Sequence, residues 1–373
     1  MHYLIVANSP FTVLNFRREL LINLLSRGHK VTVACPQDCD LMKSIDIVQD
    51  FRTLGVSFFA MKLNRSGLNP LKEFYSLISI LRIILRNSPD VILNYTIKPT
   101  IYSSIAGKLS GVKLIYSNVT GLGYAFTGSG WKVKLIYFIV KCQYKIALAC
   151  NTRVFFQNPD DIELFVNSNL IEKNKPVLIN GSGVDTTVFK RDFSLRSKFD
   201  FLYVGRMLED KGVCELLSAA KRIKEKYPKV TISLAGPYDK NPSAISSELI
   251  NRYVDSGVIR YLGNVDNIID CYQQHGVFIL PSYREGTPRS SLEAMAMSMP
   301  IITTDVPGCR ETVEHMVNGI LIPPKNENAL FDAMEKFILF PHLIEKMGRI
   351  GRNIAVDKYD IKIVNQSILN VIE

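Results

Sequence analysis

Two carboxylates eight residues apart, Glu285 and Glu293, stand in the stretch EGTPRSSLEAMAMSMP that runs from Glu285 to Pro300. An apolar run, Gly276-Val277-Phe278-Ile279-Leu280, precedes them and stops at Pro281-Ser282. Thr287 suits an N-cap and Pro288 the first helical position, which predicts a helix from there to about Ser298. A helix start at a strand end offers free backbone N–H groups and the positive end of the dipole, a place for a phosphate. With one acid before that start and one inside the helix, the layout suits a nucleotide-sugar: one carboxylate can reach sugar hydroxyls, the other a ribose. Upstream, the apolar run Phe201-Leu202-Tyr203-Val204 ends in Gly205-Arg206, with Lys211 five residues on. A planar Arg fork and a Lys point charge beside glycine suit the clamping of a diphosphate. The bland alternative is a solvated helix with two unrelated acids and a pair of loop cations. Taken together with their flanks, the four residues favour a site.

Such a site needs strands and helices in alternation to carry it. Tyr3 to Ala7 reads as a first strand, Thr12 to Ser26 as a helix ended by Gly28, and Lys30 to Cys35 as a second strand, the opening of a doubly wound α/β domain. No G-x-G-x-x-G follows that first strand, so the dinucleotide fingerprint is absent. Val56 to Leu63 is strand-like, Asn69 to Arg86 reads as a helix, and Asp90 to Asn94 and Lys113 to Tyr116 as buried strands. Gly121 to Gly128, which holds Gly123, is a glycine- and aromatic-rich loop able to bend and lay an apolar face on a substrate. Trp131 to Leu148 is apolar with lysines and no acid: a basic helix on an anionic membrane, or a core helix with snorkelling lysines. The charged segment Lys190 to Lys198 reads as the interdomain linker. A second wound domain follows, with strands at Phe201 to Val204, Thr231 to Ala235 (leading to Tyr238), Ile259 to Leu262 and Ile301 to Thr304. Gly308 to Glu311 opens another helix, and the chain is helical from Ala329 on.

The bulk properties agree. The 373 residues suffice for two domains, and 47% hydrophobic with 21% charged residues is a globular composition. Met1-His2 runs into an apolar strand without a basic leader, and no apolar run reaches the roughly 20 residues that span a bilayer. Seven scattered cysteines read as reduced thiols of a cytoplasmic protein, and the basic charge adds a peripheral place on the inner face of the plasma membrane. A net charge of +10 and a pI near 9.1 ask for a polyanionic neighbour. No nucleic-acid-reading motif is present, which leaves a membrane surface and diphosphate substrates. Asp38-Cys39-Asp40 is formally a D-x-D and is rejected as a metal site, and no histidine has partners for one.

The E-x7-E pattern with its flanks resembles the signature of family-4 glycosyltransferases, retaining enzymes of the two-domain GT-B fold. The likeness covers nearly the whole chain and is densest from Tyr203 to Thr312. It implies two Rossmann-like domains facing a central cleft: 1–185 for the acceptor and 199–357 for the nucleotide-sugar. A last helix, 358–373, would cross back to the first. In the N-terminal half, Asn15 to Leu20, Asn64 to Pro70, Thr96-Ile97-Lys98-Pro99 and Val119 to Gly123 are similar to a subgroup that builds bacterial glycans on a polyprenyl-diphosphate carrier. Asp255 to Gly263 is similar to the PglA-type N-acetylgalactosaminyl transferases. The resemblance implies UDP-GalNAc as donor and an undecaprenyl-diphosphate-linked amino sugar such as GlcNAc as acceptor, in O-antigen assembly.

For the residues it implies the following roles. Arg206 and Lys211 neutralise the leaving UDP, Glu285 positions the donor sugar and Glu293 holds the ribose. The helix start, with Thr287, Pro288, Ser290 and Ser291, adds backbone donors for the UDP, Val265 lies where the base is held, and Gly205, Gly286 and Tyr238 are further donor contacts. No cofactor or divalent metal is then required. Ser9-Pro10-Phe11 replaces the Gly-Gly pair many members carry, and Ser9, Phe11, Arg65, Lys98, Gly121 and Gly123 are the expected acceptor contacts. Many members also carry a histidine after the strand that ends here at Tyr116; this chain has Ser117-Asn118, and Asn118 is the expected substitute. Rival readings are a UDP-sugar 2-epimerase of the same architecture and a non-catalytic membrane-associated scaffold.

Overall fold

The computed structural model describes residues 1–37, 47–63, 69–121, 131–194, 200–239 and 243–373; in the helix Trp131–Ala149 the side chains are described from 138 on. The chain forms two compact units, Met1–Ser182 with Val364–Glu373, and Gly183–Ile363.

The first unit is a seven-stranded sheet of β1 (His2–Val6), β2 (Lys30–Cys35), β3 (Ser57–Ala60), β4 (Val91–Tyr95), β5 (Leu114–Val119), β6 (Arg153–Phe156) and β7 (Pro176–Leu178). Its order is β3-β2-β1-β4-β5-β6-β7, and every pairing is parallel. Helices cover both faces, which is why β1 and β4 are buried throughout and, His2 and Asn94 apart, built of apolar and aromatic residues. Side chains alternate between two cores: Leu4, Val6 and Ile92 in one, Tyr3, Ile5 and Leu93 in the other. The second unit repeats the plan with β8 (Phe201–Val204), β9 (Ile232–Ala235), β10 (Arg260–Gly263), β11 (Val277–Leu280), β12 (Ile301–Thr304) and β13 (Gly319–Ile322), in the order β10-β9-β8-β11-β12-β13, again all parallel. In each sheet the winding reverses once, at β1/β4 and at β8/β11. Ligand crevices of wound sheets form beyond the carboxyl ends of the strands at that reversal.

Several elements depart from the sequence reading. The stretch predicted as one helix from Thr12 to Ser26 is two, Pro10–Phe16 and Arg18–Ser26. Arg17 breaks it: at φ −131° and ψ 0° its backbone leaves the helix, and its buried guanidinium lies 4.5 Å from the ring centroid of Tyr95. The helix Ile97–Leu109 escaped prediction because it is buried on most sides and shows no polar face. Gly308 to Glu311 opens no α-helix, only the 3-10 turn Arg310–Thr312. The predicted linker is anchored at Arg191, whose buried Nη2 donates to the carbonyls of Tyr272 (2.8 Å) and His275. The last helix is Ile361–Ile372, and Val364, Ile368, Leu369 and Ile372 belong to the core of the first unit. Among the described residues no helix is long and apolar enough to cross a membrane.

Candidate active site

Arg206 and Lys211 leave the carboxyl end of β8, and Glu285 follows that of β11, so the sheet reversal itself brings these residues to one place. Lys211 closes the 3-10 turn Glu209–Lys211, and Gly212 after it has φ 71°. A Cβ on Gly212 would stand 2.1 Å from the carbonyl oxygen of Pro281, so only glycine lets this turn press against the β11 end. The result is an ion pair between Lys211 and Glu285, both largely buried, with Ser282 Oγ donating to the same Glu285 oxygen at 2.8 Å. On the far side, Gly308 (φ 84°) lets its own backbone approach: a Cβ there would meet the carbonyl oxygen of Gly286 at 2.1 Å. Arg206 is half exposed and pairs with Asp239 at 2.6 Å. A cation and an acid so paired neutralise each other until an anionic ligand competes for the cation.

The helix after Glu285 is Arg289–Ala296, shorter than predicted at both ends. Its N-cap is Pro288 and not Thr287, because Pro288 keeps an extended ψ of 117° and helical geometry begins only at Arg289. Thr287 is buried just ahead of it. The N–H groups of Ser291 and Leu292 already donate to the Pro288 carbonyl, so Ser291 brings no free backbone donor to a phosphate, and its buried hydroxyl has no partner among the described residues. Ser290 accepts from Tyr272 through its carbonyl. Glu293, largely but not fully buried on the helix, receives Arg289 Nε at 3.0 Å on one oxygen and the Tyr272 hydroxyl at 3.0 Å on the other. Burial pushes the Glu293 pKa up, and Arg289 and Tyr272 pull it back. Tyr238, beyond β9, lies tilted against Tyr261 at 5.1 Å, and Val265 is half buried beyond β10. These two lie on the β8 side of the reversal; Glu293 follows β11. His275 is fixed between the Cys271 carbonyl (2.6 Å) and Ser233 Oγ (2.8 Å), a structural role.

In the first unit the expected residues gather at the carboxyl end of the sheet around the β1/β4 reversal. Ser9 is buried as N-cap of Pro10–Phe16 without a capping side-chain bond, and Phe11 is half buried, edge-on to Phe16 at 6.0 Å. Lys98, in the first turn of Ile97–Leu109, donates to Glu73 at 2.6 Å. Asn118 sits on β5 in register with Tyr95 and Phe155, is 2% exposed, and neither amide atom has a hydrogen-bond partner among the described residues. Gly121 has φ 142°. Arg65, Gly123 and the Asp38-Cys39-Asp40 triplet lie outside the described residues. Sequence reasoning missed Tyr272, which lies on a seven-residue helix, Ile268–Gln274, that carries no motif, and the stacking of Arg17 on Tyr95, which needs two distant segments to meet.

Two family models match. One, described as glycosyl transferase 4-like, covers residues 2–158, and the other, glycosyl transferases group 1, covers residues 198–339. The chain is 28% identical, over 98% of its length and 96% of the relative's, to the N,N'-diacetylbacillosaminyl-diphospho-undecaprenol alpha-1,3-N-acetylgalactosaminyltransferase of Campylobacter jejuni. It is 25% identical, over 82% of its length and 80% of the relative's, to the UDP-Gal:alpha-D-GlcNAc-diphosphoundecaprenol alpha-1,3-galactosyltransferase of Escherichia coli. Among solved structures, HepE of Anabaena in complex with UDP superposes with a TM-score of 0.77 at 17% identity, over 99% of each chain. Sucrose-phosphate synthase of Thermosynechococcus elongatus superposes with a TM-score of 0.80 at 17% identity, over 100% of this chain and 98% of that one. These structural likenesses bear on the fold.

Proposed function

Because the chain belongs to the family-4 glycosyltransferases of GT-B fold, we propose that it moves a sugar from a UDP-sugar to an undecaprenyl-diphosphate-linked amino sugar such as GlcNAc. The sugar proposed is N-acetylgalactosamine, in α linkage with retention, and the setting is O-antigen or related surface glycan assembly. The observation that carries this reading is the likeness to the Campylobacter N-acetylgalactosaminyltransferase over 98% of the chain, which includes both units.

The chemistry follows from the residues at the β8/β11 reversal. Breaking the glycosidic bond leaves negative charge on the diphosphate, and cations already in position stabilise it without reorganising. Lys211 and Arg206 supply that charge once diphosphate oxygens displace Glu285 and Asp239 from them. Glu285, released from Lys211, is then an acceptor for donor-sugar hydroxyls, and Glu293 for the ribose. The two cations do the neutralising a divalent ion does elsewhere, so transfer is expected to proceed without metal. Gly205, Gly286, Thr287 and Pro288 form the backbone about the phosphates, with Tyr238 and Val265 toward the base. Asn118 supplies one amide donor and one acceptor to a sugar, and Lys98, Ser9, Phe11 and Gly121 serve the acceptor.

A lipid-borne acceptor calls for work at a membrane surface. The helices Pro70–Asn87 and Trp131–Ala149 both pack on Ile97–Leu109. They carry exposed Leu71, Phe74 and Tyr75 beside Lys72, and exposed Phe138, Ile139 and Ile146 beside Lys145. Apolar side chains interleaved with lysines suit an anionic bilayer.

Turnover of a panel of UDP-sugars with synthetic lipid-diphosphate-GlcNAc, in EDTA, tests the proposal. Transfer of GalNAc alone is expected. Transfer of glucose or galactose instead would overturn the donor assignment, arrest by EDTA the metal-free mechanism, and release of free sugar without acceptor the transferase reading in favour of a 2-epimerase.

A further inference from the structure

The carboxylate read as the ribose contact is held before any ribose arrives. Glu293 Oε1 receives Arg289 Nε from the preceding helical turn, and Oε2 receives the Tyr272 hydroxyl from another element, the helix Ile268–Gln274. Tyr272 is fully buried, and its one hydroxyl hydrogen also faces the Ser290 carbonyl at 3.2 Å. Its own backbone is fixed in turn, since buried Arg191 donates to the Tyr272 carbonyl at 2.8 Å. A carboxylate with one donor on each oxygen has its plane set, and each oxygen keeps further acceptor capacity. One acceptor site per oxygen is what a vicinal diol requires, one hydroxyl hydrogen to each.

We infer that Tyr272 and Arg289 are positioning residues that set the plane of Glu293 to take both ribose hydroxyls of a nucleoside diphosphate, and that the preference of the site for ribose over deoxyribose depends on them. The inference rests on the reading of Glu293 as the ribose contact and extends it to two residues outside the E-x7-E pair. The same two donors favour the ionised carboxylate against the effect of its burial, and only the ionised form accepts at both oxygens.

Calorimetric titration of the full chain with UDP and with 2′-deoxy-UDP tests this on wild type, Tyr272→Phe and Arg289→Met, with thermal melts to verify folding. Wild type is expected to prefer UDP by about tenfold, the worth of a hydrogen bond to a charged group. Each variant is expected to reduce that preference to about two- to threefold, the loss falling on UDP while deoxy-UDP binding changes little. A residue that only supports the fold would weaken both nucleotides alike. A wild-type ratio retained in a folded variant therefore removes that residue from the inference, and retention in both overturns it. Equal binding of UDP and 2′-deoxy-UDP by wild type overturns the ribose reading of Glu293, and the inference with it.

Discussion

At the scale of single residues, Lys211 and Asn118 make opposite demands on stability. Lys211 is paired with Glu285, so Lys211→Ala leaves a largely buried carboxylate without its cation and removes charge aimed at the leaving group. Transfer is expected to fall about 10²- to 10³-fold, the range for losing one preorganised donor. Steady-state turnover with saturating donor checks this, and a loss below tenfold would remove Lys211 from the chemistry. Asn118 holds a buried amide with no hydrogen-bond partner among the described residues, and an amide so placed costs a fold about 1–3 kcal/mol. Asn118→Leu is therefore expected to raise the melting temperature while lowering transfer at least about tenfold. A variant both more stable and fully active would strip Asn118 of a role. Glu293 gives a pH signature. Its pKa is raised by burial, so it takes up a proton at a higher pH than an ordinary glutamate near 4.5, and UDP affinity should drop as pH falls through that higher range. Arg289 and Tyr272 both oppose the rise, so Tyr272→Phe should move the drop to higher pH still, measurable by titrations across pH 4.5 to 7.5.

At the scale of elements, the sequence announced strands more faithfully than turns. β8 and β11 are short apolar and aromatic runs between glycine, proline and polar residues, β12 is a run of β-branched residues, and all three stand where the residue types put them. Glu285 and Lys211 could be assigned to one site in advance from their residue types and flanks, but the ion pair between them was not legible there. What determined the finer geometry was non-local. Thr287 has the better capping side chain, yet the extended backbone of Pro288 starts the helix, and Arg17 breaks a helical run to reach Tyr95 on another strand. Lys190 to Lys198 looked like a free linker because its charge is visible in sequence and the carbonyls that Arg191 meets are not. Those carbonyls end the helix Ile268–Gln274, and a buried cation there complements the dipole. Arg191→Met should cost about 2–3 kcal/mol of stability, with loss of UDP affinity through Tyr272. A melt and a UDP titration check both. His275, on the same helix end, has its pKa lowered by burial. Its contribution is present above the unfolded value of 6.5 and is lost as pH falls through the lower folded value, so the unit should weaken in mild acid.

At the scale of the whole molecule, net charge and helix faces point the same way. A charge of +10 alone is compatible with any polyanion, and Trp131 to Leu148 alone could have been a core helix. The structure describes a mixed case: Val140, Tyr144, Ala147 and Leu148 are buried, while Phe138 and Ile146 stand out at about 60% exposure. Periodicity could not reveal this, because apolar residues occupy both faces of that helix and the buried set was not separable from the outer one. The neighbouring Pro70–Asn87 adds Leu71, Phe74 and Tyr75, which no sequence pattern joined to it. If these side chains enter a bilayer and the lysines meet its phosphates, binding has an apolar part insensitive to salt and an ionic part that salt screens. Co-sedimentation with phosphatidylglycerol-rich vesicles should decline, without vanishing, between about 50 and 500 mM salt, where the screening length falls below about 5 Å. Phe74→Ser with Phe138→Ser should remove the salt-resistant remainder, while transfer to a short-chain acceptor dispersed in detergent stays near wild type. That separation is the decisive outcome, since loss of both together would mean that the two residues serve the fold, and loss of neither would mean that the charged surface alone meets the membrane.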